Sequence, residues 1–132
     1  MSAVLDASAL LAYLQGEPGA DAVAGALSQG AVISLVNLAE VFSKVAERGK
    51  DPEALETELR MRGLLYGVLE AQPFTREDAL EVARLRPLTR SLGLSFGDRA
   101  CLALARGLGL PTLTTDKNWA RLDLGVDVRL IC

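Results

Sequence analysis

The stretch Ala3-Val4-Leu5-Asp6-Ala7-Ser8-Ala9-Leu10-Leu11 opens the chain's regular structure, with an apolar run that stops on an acid and then a helical pattern. The apolar run predicts a short buried strand over residues 3–5. Ser8 is predicted to cap the helix that follows, because leucines recur on one face as far as Leu14. The first unit is therefore a strand that leads directly into a helix.

The same unit recurs along the rest of the chain. Four more strand candidates lie within residues 31–35, 66–74, 111–115 and 126–131. The helices between them are predicted to begin at polar cap residues, namely Asp21, Asn37, Asp51, Thr75, Ser95 and, for a short turn, Asn118. The helix after Thr75 is expected to be strained or interrupted near Pro87. Alternating strands and helices predict an α/β fold with a largely parallel sheet and helices on both faces.

Length and composition indicate one ordinary globular domain over residues 1–132. Hydrophobic residues make up 50% of the chain and charged residues 23%, which is typical of a folded protein rather than a disordered one. The formal net charge of −3 lacks the basic surplus of most nucleic-acid binders, so binding of RNA would need local basic patches or bridging metal ions.

Cysteine usage and hydropathy indicate where the protein works. Cys101 and Cys132 form no C-x-x-C pattern, so we expect free thiols in a reducing compartment. No basic segment precedes the first apolar run, and no apolar stretch approaches the roughly 18–20 residues of a membrane span. We therefore expect a soluble cytoplasmic protein with no membrane association.

The chain contains no histidine, and this narrows the chemistry available to it. Mechanisms that need an imidazole base, such as Ser-His-Asp and Cys-His catalysis, are excluded. Zinc sites with histidine ligands are excluded as well. Any catalysis must rely on carboxylates, lysine, hydroxyl groups or a metal ion.

Four acids are candidates for such a site. Asp6 and Asp116 follow predicted strands, and the carboxyl ends of parallel strands meet at one edge of the sheet, where ligands bind. Glu40 and Asp98 lie near predicted helix starts, where the helix dipole alone favours an acid. Clustered carboxylates repel each other unless a cation neutralises them, and Mg²⁺ and Mn²⁺ prefer oxygen ligands. Metal-assisted attack of water on a phosphodiester is the chemistry that this set best supports.

Four motifs resemble those of PIN-domain proteins. Val4–Leu11 is similar to the opening motif of that family, and Asn37–Val41 is similar to its second acidic motif. Leu94–Ala105 is the most specific match and resembles the VapC-type toxins of type II toxin–antitoxin systems. Leu113–Trp119 resembles the fourth motif. The motifs occur in the family's order and span nearly the whole chain.

The resemblance implies a five-stranded α/β/α sandwich that cuts RNA with Mg²⁺ or Mn²⁺. It implies a site in which Asp6, Asp98 and Asp116 hold the metal and Glu40 positions or deprotonates a water, with nearby support from Ser8, Thr115 and Asn118. Many relatives carry an acid where this chain has Asn118, which leaves the choice between one and two metal ions open. The resemblance also implies a small antitoxin partner and a homodimer, with the helix over residues 51–62 contributing to one of these contacts.

Arg99 and Lys117 are candidate RNA contacts, because each is a cation next to one of the acids. Two alternatives stay open. One is a PIN-like scaffold that binds RNA or protein without cutting. The other is a receiver-type or phosphatase-type domain, which is disfavoured because Ser8 stands where such a phosphatase needs a second aspartate and because Asp6 lacks the acidic pair of a receiver.

Overall fold

Five strands form a single sheet in the computed structural model, which describes all residues from Met1 to Cys132. The strands are β1 (Ala3–Leu5), β2 (Ala31–Ser34), β3 (Leu69–Gln72), β4 (Thr112–Thr114) and β5 (Val128–Leu130). All neighbouring pairs are parallel, in the order β3-β2-β1-β4-β5. The prediction of a five-stranded, mainly parallel sheet is confirmed.

Six helices cover the two faces of the sheet. They are α1 (Ala7–Gln15), α2 (Ala20–Ser28), α3 (Leu35–Glu47), α4 (Pro52–Met61), α5 (Arg76–Thr89) and α6 (Phe96–Leu108), with 3-10 turns at Arg90–Leu92 and Lys117–Arg121. Side chains alternate across the strands, so Leu5 and Ile33 pack with α1 to α4 while Val4 and Val32 pack with α5 and α6. The three-layer sandwich is thus confirmed. None of these helices has the length and apolar character needed to span a membrane.

The strand order places a crevice at the centre of the sheet. The chain moves outward from β1 through β2 to β3, then returns to the other side of β1 to add β4 and β5. The direction of travel therefore reverses between β1 and β4, and ligands of open α/β sheets bind at the carboxyl ends of the strands beside such a reversal. Receiver domains have the order 2-1-3-4-5 instead, so the receiver-type alternative is wrong.

Four predicted helix caps are wrong, namely Ser8, Asp21, Asn37 and Asn118. At three of these helix starts the cap is an earlier residue, which ends the strand or follows it within two residues. The Asp6 side chain accepts a hydrogen bond from the Ala9 amide, Ser34 accepts one from Val36, and Asp116 caps the turn after β4. Strand and helix join here with almost no loop, so the polar residue that leaves the strand with extended backbone is the one in cap position.

The α2 helix begins after Gly19 instead of Asp21 and has no side-chain cap. Gly19 has a φ of +98°, and a Cβ there would lie 2.7 Å from the Ile131 side chain, so glycine is required on both counts. The caps predicted at Asp51, Thr75 and Ser95 are confirmed. The α5 helix continues through Pro87 and ends two residues later, close to the predicted interruption.

Candidate active site

Asp6 is the centre of the site and is almost completely buried, with 5% of its surface exposed. Its Oδ1 accepts hydrogen bonds from the Ala9 amide at 2.8 Å and the Ser8 hydroxyl at 2.7 Å. Its Oδ2 accepts one from the Thr114 hydroxyl at 2.5 Å. Three donors from α1 and β4 therefore hold both carboxylate oxygens in a fixed orientation.

Burial changes the acidity of Asp6. Desolvation raises its pKa from 3.8 to about 6, and the nearby charge of Asp98 adds to the rise. The hydrogen bonds from Thr114, Ser8 and Ala9 act in the opposite direction, because they stabilise the charged form. Near neutral pH, Asp6 thus carries a charge that the protein solvates only in part, and a cation in front of it would be strongly attracted.

Two hydroxyl groups join the ends of β1 and β4. The Thr114 hydroxyl donates to Asp6 and accepts from the Asp116 amide at 3.0 Å. The Ser8 hydroxyl donates to Asp6 and accepts from the Thr115 amide at 3.0 Å. Ser8 therefore supports the site, whereas Thr115 contributes its backbone amide and the hydroxyl contact expected of it is made by Thr114.

Glu40 lies one turn into α3 and faces the start of α6. Its Oε1 accepts a hydrogen bond from the Asn37 side chain at 2.8 Å. The same Asn37 amide donates to the Gly97 carbonyl at 2.9 Å. The carboxylate packs so closely on Gly97 that a Cβ there would lie 2.5 Å from Oε2.

Asp98 is held by a capping box at the start of α6. Its Oδ2 accepts from the Ser95 amide at 2.9 Å, and its own amide donates to the Ser95 hydroxyl at 3.1 Å. The side chain is half-buried. Because only one oxygen is used by the cap, the other is free for a ligand.

Three of the four predicted acids line one crevice of about 230 Å³ at the carboxyl edge of the sheet. The residues around it are Asp6, Ala7, Ser8, Leu11, Asn37, Glu40, Lys44 and Asp98. Asp116 is not among them. Its Oδ1 accepts from the Asn118 amide at 2.9 Å and caps the 3-10 turn, and the exposed Asn118 adds no side-chain contact.

The comparisons with known proteins identify the family. The sequence matches the PIN domain family over residues 3–124. The chain belongs to the PIN domain family. The phosphatase-type alternative is therefore wrong as well. A comparison with curated proteins finds no match.

Solved structures share the fold of this PIN domain over nearly its whole length. A toxin–antitoxin complex from Klebsiella pneumoniae aligns with a TM-score of 0.71 and 21% identity, covering 99% of this chain and 98% of that one. DNA-bound VapBC from Salmonella typhimurium aligns at 0.74 and 17%, covering 100% and 99%. FitAcB from Neisseria gonorrhoeae aligns at 0.68 and 24%, covering 95% and 94%. At these identities the likeness shows the fold.

The donor set of the PIN-domain crevice fits a hard divalent cation. No three acidic or thiol side chains form a ready-made metal cage. Mg²⁺, however, usually keeps several waters and is bound by only one or two carboxylates. Asp6 and Asp98 offer such a pair, the crevice has room for water, and the poorly solvated charge of Asp6 would be offset by the ion.

One basic residue lines the crevice, and the two predicted RNA contacts, Arg99 and Lys117, are not among the lining residues. Lys44 lines the crevice, one turn after Glu40 on α3, and none of the five ion pairs of the protein uses it. Arg99 donates to the Val82 carbonyl at 3.0 Å and so links α6 to α5. The guanidinium is thus engaged in helix packing, and its contact with RNA stays a prediction. Lys117 is exposed beside Asp116.

Three residues of the site were missing from the predicted set: Asn37, Gly97 and Thr114. Helical spacing carried a signal for Asn37, because residues three apart on a helix are neighbours and Glu40 is three residues on. The register of β1 with β4 pairs Leu5 with Leu113, which places Thr114 beside Asp6. Nothing in the sequence singled out Gly97, whose importance depends on the crossing of α3 and α6.

Proposed function

We propose that this PIN domain is a metal-dependent endoribonuclease and the toxin of a VapC-type toxin–antitoxin pair. The observation that supports this most is the buried, charged Asp6, which shares one polar crevice with Asp98 and Glu40. Such a group of oxygens suits Mg²⁺ or Mn²⁺, and hydrolysis of a phosphodiester needs the charge neutralisation that these ions provide.

Each acid has a separate role in this proposal. Asp6 and Asp98 would hold the ion directly or through water, since both carboxylates belong to residues that line the crevice. When bound, the ion would lower the pKa of a water and offset charge on the scissile phosphate. Glu40 orients the attacking water and accepts its proton. Asp116 lies outside the crevice lining and would act on the ion through a bridging water.

The RNA lies with one phosphate near Lys44 in this proposal. Lys44 is the only cation that lines the crevice, and it has no carboxylate partner in the protein. Lys117 would contact the RNA strand at a second phosphate, beyond the end of β4. A lysine ammonium binds phosphate as a point charge, so these contacts give affinity without base preference.

A separate groove on the protein is the proposed binding surface for the antitoxin. A groove of about 390 Å³ runs between α1, the end of α3 and α4, with apolar side chains such as Leu14 and Leu55 on its floor and charged ones such as Arg48 and Arg62 around it. Leu11 lines both this groove and the crevice, so a partner segment in the groove would reach the acids. Structures with the same fold include a toxin–antitoxin complex, which supports this part of the proposal. We also propose a homodimer, which light scattering of the purified protein tests.

The deciding experiment is cleavage of a mixed RNA pool by the purified protein with Mg²⁺, with Mn²⁺ and with EDTA. The wild type should cut only with metal, and Asp6→Asn and Asp98→Asn should not cut. Asp123→Asn is the matched control, because Asp123 is exposed and outside the crevice. A wild type that binds RNA but cuts with neither metal would instead support the silent binding module.

The toxin assignment is tested in cells. Induced expression of the wild type in a bacterial host should stop growth, and Asp6→Asn should not. Co-expression of a small protein encoded beside the gene should relieve the arrest. If the cells keep growing although the purified protein cuts RNA with metal in vitro, the protein is a nuclease and the toxin role is wrong.

A further inference from the structure

Asn37 is a buried polar side chain at the lining of the crevice, with 1% of its surface exposed. Its two amide hydrogens go to two acceptors on different elements, the Glu40 carboxylate at 2.8 Å and the Gly97 carbonyl at 2.9 Å. Glu40 belongs to α3, and Gly97 directly precedes Asp98 in α6. One amide group therefore connects the two helices that carry two of the acids.

The orientation of this amide is unambiguous. Rotating it by half a turn would point its oxygen at two acceptors, so the nitrogen must face Glu40 and Gly97. In that orientation the Asn37 Oδ1 is buried without a hydrogen-bond partner. An unpaired buried oxygen is unfavourable for stability and calls for an explanation. Only the two N–H groups of the Asn37 amide make hydrogen bonds, and both of their acceptors, on Glu40 and Gly97, belong to the site.

Gly97 completes the arrangement from the other side. Its Cα lies against the Glu40 carboxylate, and a Cβ would come within 2.5 to 2.6 Å of all three carboxyl atoms. Its φ is not in the left-handed region, so an alanine would suit the backbone, and the three atoms nearest to the added Cβ all belong to Glu40. The Glu40 carboxylate is thus held by the Asn37 amide and occupies space that a side chain at residue 97 would fill.

We propose that Asn37 is a positioning residue that fixes the Glu40 carboxylate against the first turn of α6, in the space that Gly97 leaves. The role of this fixed carboxylate in RNA cleavage rests on the function proposed above. Asn37 and Gly97 touch neither substrate nor metal in this scheme. They set the direction of Glu40 before RNA arrives, so the attacking water meets a preoriented acceptor.

The kinetic test uses Gly97→Ala, Asn37→Leu and the matched control Gly107→Ala. Gly107 lies in the same helix, and a Cβ at that position would have nothing within 4 Å, so alanine there should leave activity unchanged. Gly97→Ala should keep the melting temperature of the wild type while kcat falls about tenfold or more and KM stays within about twofold. Asn37→Leu should lower kcat by a similar factor. An unchanged kcat in Gly97→Ala overturns the proposal.

A double-mutant comparison separates positioning from a general loss of structure. In a Glu40→Gln background, Gly97→Ala and Asn37→Leu should change the residual rate by less than about twofold, because the group they act through is gone. If both cost the same factor with and without the Glu40 carboxylate, they act through something else and the proposal is wrong.

Crystal structures of Gly97→Ala and Asn37→Leu give a readout that needs no activity. The Glu40 carboxylate should leave its place beside residue 97 in both variants, in Gly97→Ala because the new Cβ needs that space and in Asn37→Leu because the amide donor is gone. If it keeps that place in Asn37→Leu, the positioning role is rejected, even where the wild type cuts RNA. If the wild type cuts no RNA and Glu40 still moves, the proposed function fails and the positioning contact stands. Should Asn37→Leu not fold, Asn37→Asp replaces it, since aspartate has nearly the same shape but lacks the two amide donors, and Glu40 that stays in place in Asn37→Asp rejects the proposal.

Discussion

The ends of β1 and β4 both lead to an aspartate, but the two aspartates have different surroundings. Each of these neighbouring strands is followed by an aspartate that caps the next helical turn, Asp6 at β1 and Asp116 at β4. Asp6 is buried, accepts three hydrogen bonds and lines the crevice. Asp116 is half-buried, holds the amide of Asn118 and lies outside the crevice lining.

The difference comes from two residues of strand register. Leu5 pairs with Leu113, so Asp6 lies level with Thr114, and Asp116 follows two residues later. At the position in β4 that corresponds to Asp6 after β1, the chain therefore has the hydroxyl of Thr114. An aspartate after a strand is not enough to make it a site residue, because its distance beyond the last strand pair decides where it points.

The largest expected effect tests this difference directly. Asp6→Asn should lower metal-dependent RNA cleavage by about three orders of magnitude, because it removes the buried charge that holds the ion. Asp116→Asn should lower it by only about tenfold to a hundredfold, as expected for a residue that acts through water or through a ligand's neighbour. Single-turnover cleavage with Mn²⁺ measures both. Equal losses would mean that Asp116 turns into the crevice when metal and RNA bind.

Asp6 should also make stability depend on pH when divalent ions are absent. Its folded pKa is about 6 and its ordinary value is 3.8, so the folded state binds the proton more tightly. Its contribution to stability is complete below about pH 4 and is lost as pH rises through about 6. The loss amounts to about 3 kcal/mol at 1.36 kcal/mol per pKa unit.

Urea unfolding in EDTA, compared between wild type and Asp6→Asn from pH 4 to 8, measures this loss. The free energy of unfolding of Asp6→Asn should rise relative to that of the wild type between pH 4 and 6. Above pH 6 the difference between the two should stay constant. Mn²⁺ at pH 7 should then stabilise the wild type and not the variant. If the free energies of unfolding of the two proteins depend on pH in the same way, burial of the Asp6 carboxylate does not lower stability. Asp6 and Asp116 would then not differ in their electrostatic surroundings.

Thr114→Val and Thr115→Val form a matched pair at the end of β4. Thr114→Val removes the donor to Asp6 Oδ2 and should cost about 1–2 kcal/mol of stability at pH 7, because a buried charge loses a partner. The loss also raises the pKa of Asp6 further, since that hydrogen bond lowers it. Thr115→Val should change stability by less than about 0.5 kcal/mol, because only the Thr115 backbone contacts the site. Chemical unfolding of both variants checks this, and the opposite ranking would reverse the assigned register.

Sequence patterns predicted the larger features of the molecule and missed those that depend on contacts between distant elements. The strands and their parallel arrangement followed from apolar runs and cap residues, and the three acids of the crevice were predicted from their places after a strand or near a helix start. The caps at Ser34 and Asp116 were misplaced because loop-free junctions are not visible in a pattern. The packing of Glu40 on Gly97 depends on how closely two helices approach, and propensities contain no such information.

The smallest expected effect concerns how RNA crosses the two strand ends. Lys44→Gln in an Asp6→Asn background should weaken single-stranded RNA binding several-fold and lower the salt slope by about 0.7, the value for one phosphate contact. Lys117→Gln should do less, because Lys117 lies beyond the end of β4, outside the crevice. Lys50→Gln is the control, since Lys50 lines the other groove. Fluorescence anisotropy across a salt series measures all three. If Lys117 carries the larger share, the RNA lies over β4, and Asp116 becomes the acid nearest to the scissile phosphate.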